Sequence, residues 1–184
     1  MEVPEPRFGS GSTINNTHFS FFMSRRVFFS FHYERDVWRV GQIRNSWITQ
    51  DREAAGFVDA AEWEEVKRDG ESAIHRWIDD NLHGTSVTVV CIGAETAQRK
   101  YVQYEIQQSY SRGNGLLGLR IHNLKDRVGQ TDVAGDNPFR RLTDDRSVWR
   151  LPLSESVPVY DWVNDNGYSN LGRWIEAAAA NAGR

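Results

Sequence analysis

Two rhythms of apolar and polar positions take turns along this chain. Val27-Phe28-Phe29-Ser30-Phe31 is a short, nearly unbroken apolar run closed by His32 and the polar residues up to Arg35. Such a run suits a central strand covered on both faces. From Asp36 onward, Val37, Val40, Ile43 and Trp47 recur at three- and four-residue spacing, which predicts a helix with Asp36 as its N-cap. Gly56-Phe57-Val58-Asp59 predicts a second short strand, and a charged loop carrying Glu62, Trp63, Glu64 and Glu65 follows it to Gly70. Residues 72–82 put Ile74, Trp77, Ile78 and Leu82 on one helical face and stop at His83-Gly84, a C-terminal signal. A third strand over 86–92 is the most strand-like run of all. Helix 98–112 comes next, and Asn114-Gly115 turns the chain into a fourth strand, 116–121.

After that strand the rhythm lapses. Residues 122–157 are rich in Asp, Gly, Arg and Pro, with Asp136-Asn137-Pro138 as a turn signal. A segment of this length inside a compact domain carries function or small elements of its own. Residues 158–161 predict an edge strand and 171–180 a closing helix strengthened by four alanines. Alternating strands and helices define an α/β fold, with a parallel sheet of about five strands and helices on both faces. Residues 1–25 keep neither rhythm: two prolines and a Gly-Ser-Gly-Ser stretch read as a flexible N-terminal extension. The domain is expected over 26–184, with 122–157 as a long irregular insertion. Met23 directly precedes the first strand, and a functional start there is the expectation that a truncated chain would test.

Composition narrows the function. Seven Trp, six Tyr and nine Phe in 184 residues exclude a disordered chain. A net charge of −3 with interspersed basic and acidic residues offers no field for a phosphate backbone, so nucleic acid is not an expected partner. Cys91 is alone and lies in an apolar strand, which reads as a buried thiol in a reducing compartment. No apolar run approaches the roughly 18 residues that span a bilayer, and no signal peptide opens the chain. A soluble, cytoplasmic protein with no membrane contact is expected.

Several chemistries drop out. There is no Gly-x-x-x-x-Gly-Lys-Ser/Thr, no Gly-x-Gly-x-x-Gly after the first strand and no Gly-x-Ser-x-Gly. The five histidines show no ligand spacing, so no metal site is expected. What remains lies on the third helix, in Lys100-Tyr101-Val102-Gln103-Tyr104-Glu105-Ile106. Val102 and Ile106 form one stripe, while Tyr101 and Glu105, one turn apart, share the next. The helix follows the third strand, so its N-terminal end lies near the C-terminal edge of the sheet, where open α/β folds bind ligands.

Three blocks in this order resemble a TIR (Toll/interleukin-1 receptor) domain, most closely the TIR proteins of bacterial Thoeris antiphage systems. Val27 to His32 looks like the first-strand motif Val-Phe-x-Ser-aromatic, and Gly56 to Asp59 looks like the second strand before the family's mobile loop. Tyr101 to Ile106 is similar to the Trp-x-x-x-Glu motif of TIR domains that cleave NAD. Ile121-His122-Asn123-Leu124-Lys125-Asp126 and Asn137-Pro138-Phe139 look like the Thoeris branch. The fold implied is a single TIR-like, flavodoxin-like domain.

The resemblance implies an enzyme that breaks the nicotinamide–ribose bond of NAD and makes an ADP-ribose-derived signal, cyclic or conjugated, for a separate effector. Glu105 would be the catalytic carboxylate and Tyr101, in place of the more usual Trp, the aromatic beside the substrate. Phe31, His32, Asn45 and Trp47 are the further candidates for substrate contact. The base leaves a cationic pyridinium as a neutral molecule and needs no acid, so one carboxylate that stabilises the ribosyl cation suffices. NAD is then substrate, and no cofactor is implied. Self-association on activation is implied too, with the 125–157 segment as a candidate contact or lid. Two other readings stay open: a non-catalytic interaction module with an inert Glu105, and an N-glycosidase acting on another nucleoside or nucleotide.

Overall fold

The computed structural model describes residues 25–48, 53–56, 60–146, 148 and 150–184. Five strands, β1 (Arg26–Ser30), β2 (Glu53–Ala55), β3 (Val87–Ile92), β4 (Gly115–Arg120) and β5 (Val159–Asp161), form one sheet in the order β2-β1-β3-β4-β5. All four pairings are parallel. The helices are α1 (Tyr33–Ile48), α2 (Ala60–Arg68), α3 (Glu71–Leu82), α4 (Lys100–Ser111) and α5 (Gly167–Asn181). The α/β architecture expected from the alternating rhythms is the one present.

Pleating divides the core between two faces. Val87, Val89 and Cys91 of β3 point to one side, together with Val27, Phe29, Leu117 and Leu119, and are covered by Val40, Ile43 and Trp47 of α1 and by Leu171, Trp174 and Ile175 of α5. Val90 and Ile92 point to the other, against Val102 and Ile106 of α4. Phe28 meets Trp63, Ile74, Ile78 and Leu82 on the same side. Complete burial of such side chains contributes roughly 1.5 to 3 kcal/mol each. The buried Thr88 hydroxyl pairs with Ser109 of α4 at 2.7 Å, so the seam is satisfied where it is polar.

Four expectations need correction. Helix α1 begins at Tyr33, so Asp36 lies inside its first turn and is no N-cap; it is fully buried, and neither carboxyl oxygen accepts a hydrogen bond. The second strand is Glu53–Ala55, ahead of the expected 56–59; residues 57–59 lie outside the described residues. Gly56 ends this strand with φ +83, where a Cβ would stand 2.6 Å from the Phe29 carbonyl oxygen, so only glycine fits the bend. The charged loop before Gly70 is in fact α2. One apolar pair, Trp63 with Val66, sets its inner face against α3, and the acids around them hid the spacing. Helix α5 begins four residues early, at Gly167, where a Cβ would be 2.3 Å from the Trp162 ring.

The described part of the 122–157 segment is irregular but packed. Its two short turns, Pro138–Arg141 and Leu153–Glu155, bury Phe139 and Leu153 against β3 and α4. The Asn137 side chain accepts from the Phe139 amide at 3.0 Å and caps the first. On the other flank, Arg39 donates to the carbonyls of Leu124 and Gln130, and Arg35 pairs with Asp132 at 2.9 Å. Gly135 lies directly over the end of β3: a Cβ there would fall 1.9 Å from the Gly93 carbonyl oxygen. Of the 1–25 extension, all but Arg25 lies outside the described residues; Arg25 pairs with Glu176 of α5 at 2.8 Å.

Candidate active site

The C-terminal end of β1 and the N-terminal half of α4 meet over a cavity of about 430 Å³, within the range of small-molecule sites. A Thr96–Gln98 turn links β3 to α4. Thr96 fixes it by accepting from the Gly93 amide at 2.9 Å and donating to the Cys91 carbonyl at 3.3 Å. Helix α3 steadies α4 from the side: the Tyr104 hydroxyl donates to Asp79 at 3.0 Å, and His75 stacks on the Tyr104 ring at 4.2 Å.

Glu105 lines this cavity and is 8% exposed. Ser30, the last residue of β1, donates from Oγ to its Oε2 at 2.5 Å. Burial pushes the Glu105 carboxyl up to about 8, against the opposing pull of the Ser30 hydrogen bond. Around it stand the aromatic residues Phe29, Phe31, Tyr33, Trp63, Trp77 and Tyr101, with Lys67, Arg99 and Lys100 also on the wall. Burial and then the Arg99 charge hold His32 below its ordinary value, while Glu34 and Glu95 oppose them. Its Nε2 lies 3.2 Å from Glu34 Oε2.

Four of the six residues singled out from the sequence therefore share one wall: Glu105, Tyr101, Phe31 and His32. Asn45 and Trp47 do not. Asn45 is exposed on α1, and Trp47 is buried in the core against the sheet's other face. None of the described residues of the 122–157 segment lines the cavity. Sequence reasoning missed Ser30 as the Glu105 partner, although it closes the apolar run of β1, and missed Trp63 and Trp77, which alternate with charges. Among the described residues no group of three or more His, Cys, Asp or Glu is arranged to hold a metal ion, and no helix is long and apolar enough to cross a membrane.

A carboxyl group held away from water, facing aromatic rings, is suited to stabilising a transient cation and excluding solvent from it. This α/β fold is of the TIR-like class. The family model of the Thoeris protein ThsB, TIR-like domain, matches residues 28–126, and the chain belongs to that family. It is 35% identical over 191 aligned residues to ThsB1 of Bacillus cereus (strain MSX-D12), with 83% of this chain and 100% of that protein covered. That relative carries the provisional description of a cyclic ADP-D-ribose synthase.

Among solved structures, the Clostridium botulinum CMP N-glycosidase BcmB superposes with a TM-score of 0.42 at 10% identity, covering 82% of this chain and 99% of that one. The TIR domains of the activated Roq1 resistosome superpose with a TM-score of 0.38 at 18% identity, over 87% of this chain and 84% of theirs. Likenesses of this size carry no weight for fold or activity.

Proposed function

We propose that this chain cleaves the nicotinamide–ribose bond of NAD and makes an ADP-ribose-derived signal nucleotide in Thoeris antiphage defence, with Glu105 as the catalytic carboxylate. The observation that carries the reading is Glu105 itself, buried against an aromatic cavity and hydrogen-bonded by Ser30. Membership of the ThsB family and the description of the B. cereus relative support the substrate and product class.

The chemistry follows from the charge. As the bond from ribose C1′ to the pyridinium nitrogen breaks, its electron pair goes to that nitrogen and nicotinamide departs neutral. The positive charge left on C1′ and the ring oxygen meets the Glu105 carboxylate, an interaction strengthened by the exclusion of water. An aromatic face such as Tyr101 adds roughly 0.5 to 2 kcal/mol for a cation. Lys67, Arg99 and Lys100 supply positive charge for the diphosphate. A hydroxyl of the same ADP-ribose that attacks C1′ and loses its proton gives a cyclic product; water gives ADP-ribose.

The same reading includes self-association on activation and a separate effector that receives the nucleotide. Trp38 is 55% exposed on α1, and Val128 and Val133 are each 70% exposed on the segment that α1 holds, an apolar surface that supports assembly through this flank.

The test is NAD consumption by the purified protein, products resolved by mass, for wild type beside Glu105→Ala and Glu105→Gln. Turnover by wild type and its loss in both folded variants is the expected result. Equal turnover in all three would overturn the assignment of Glu105.

A further inference from the structure

Two residues in the cavity wall carry a polar atom that no other described residue satisfies. His32 and Trp63 are each more than nine-tenths buried, and both line the cavity. Among the described residues, His32 Nδ1 and Trp63 Nε1 have no hydrogen-bond partner. A buried polar atom without a partner is costly and uncommon, and at a cavity wall it marks a place where a ligand completes the pairing.

The two atoms differ in kind. His32 Nε2 lies 3.2 Å from Glu34 Oε2, closer than the 3.9 Å between Nδ1 and Glu95 Oε2, which favours the ring proton on Nε2. Burial and the Arg99 charge keep the imidazole neutral, so Nδ1 presents a lone pair and accepts. The Trp63 indole N–H only donates. Its ring is held between Tyr33, at 5.5 Å, and Trp77, at 5.7 Å edge-on, so the donor is fixed in place. The wall residues thus supply one acceptor, on His32, two residues along from the Ser30 that binds Glu105, and one donor, on Trp63 of α2.

We infer that His32 and Trp63 read the carboxamide of the nicotinamide ring, whose amino group donates to His32 Nδ1 and whose carbonyl accepts from Trp63 Nε1. This rests on the NAD-cleaving function proposed above. A phosphate brings only acceptors and leaves His32 unpaired. The ribose hydroxyls belong with Glu105, so the carboxamide is the remaining group at this end of the substrate that offers both partners. A carboxylate in its place meets a lone pair and a buried acid, so the nicotinic acid analogue is disfavoured.

The experiment compares kcat/KM for NAD with that for its 3-acetylpyridine analogue, in which methyl replaces the amino group and the carbonyl stays. Wild type is expected to prefer NAD at least tenfold. His32→Phe, which fills the space without an acceptor, brings the ratio near one, and His32→Asn, whose Oδ1 accepts, restores much of it. Trp63→Phe lowers kcat/KM for both substrates about tenfold and leaves their ratio intact, since both keep the carbonyl; the ratio lost in His32→Phe and regained in His32→Asn is the readout that a merely structural role would not move. The same ratios are read as affinities for the two dinucleotides on Glu105→Gln, by calorimetry, so the test does not need turnover. An unchanged ratio in His32→Phe, or wild-type rates and affinities in Trp63→Phe, would overturn the carboxamide assignment and leave NAD cleavage standing. Neither cleavage of NAD by wild type nor binding to Glu105→Gln would overturn both.

Discussion

Ser30 and Glu105 are joined by a hydrogen bond of 2.5 Å that ties the end of β1 to the second turn of α4. Among the described residues it is the one side-chain hydrogen bond that favours the carboxylate form, and burial works against it. Activity should therefore follow the Glu105 proton.

With Glu105 raised to about 8 in the free protein, kcat/KM for NAD is expected to increase with pH through a single ionisation near that value, because kcat/KM reports the free enzyme. The cationic pyridinium favours the carboxylate, so the ionisation seen in kcat lies lower and substrate binding at pH 7 releases a proton. Rates from pH 6 to 9, with calorimetry in two buffers of different ionisation heat, check both.

Ser30→Ala removes the opposing hydrogen bond. The inflection in kcat/KM moves to higher pH, and activity at pH 7 falls roughly 3- to 10-fold, in keeping with a hydrogen bond to a charged group. A profile superimposable on wild type would mean that the bond has no part in ionisation.

Stability carries the opposite sign. Between its ordinary value of 4.5 and about 8, the folded chain holds a proton on Glu105 that the unfolded chain releases, so this group costs more stability as pH rises through that window. Glu105→Gln should match wild type near pH 4 and exceed it by on the order of 2 to 4 kcal/mol at pH 8, while turnover is lost. Urea unfolding at the two pH values measures the difference.

Gly135→Ala forces a Cβ into the Gly93 carbonyl and should destabilise by about 1 to 3 kcal/mol, as other overpacked sites do. No cavity-lining residue is displaced directly, so kcat/KM per folded molecule stays within about twofold of wild type. Thermal melts and NAD kinetics on the same preparation separate the two effects.

The sheet was readable because its strands are buried on both faces and so appear as apolar runs; β3, with all six residues buried, is the clearest. Helix α2 was not, since Trp63 and Val66 are too few to show a period among acids. Their one-turn spacing set Glu105 and Tyr101 side by side, but it was the resemblance of 101–106 to the family motif that singled them out. His32 lies on the cavity wall at the end of β1, whereas the place of Trp63 depends on Tyr33 and Trp77, which the fold brings together and the sequence separates. Asn45 and Trp47 show the limit: the end of α1 was known, but its direction away from the cavity required the sheet order.

Cys91 is the chain's single thiol, fully buried in the central strand, and burial pushes it far from ionisation. Its reaction with a thiol reagent must wait for β3 to part from its neighbours. The protein consequently carries a built-in stopwatch: the labelling rate of one atom counts how often the sheet opens, and a dinucleotide bound at the end of β1 should slow it.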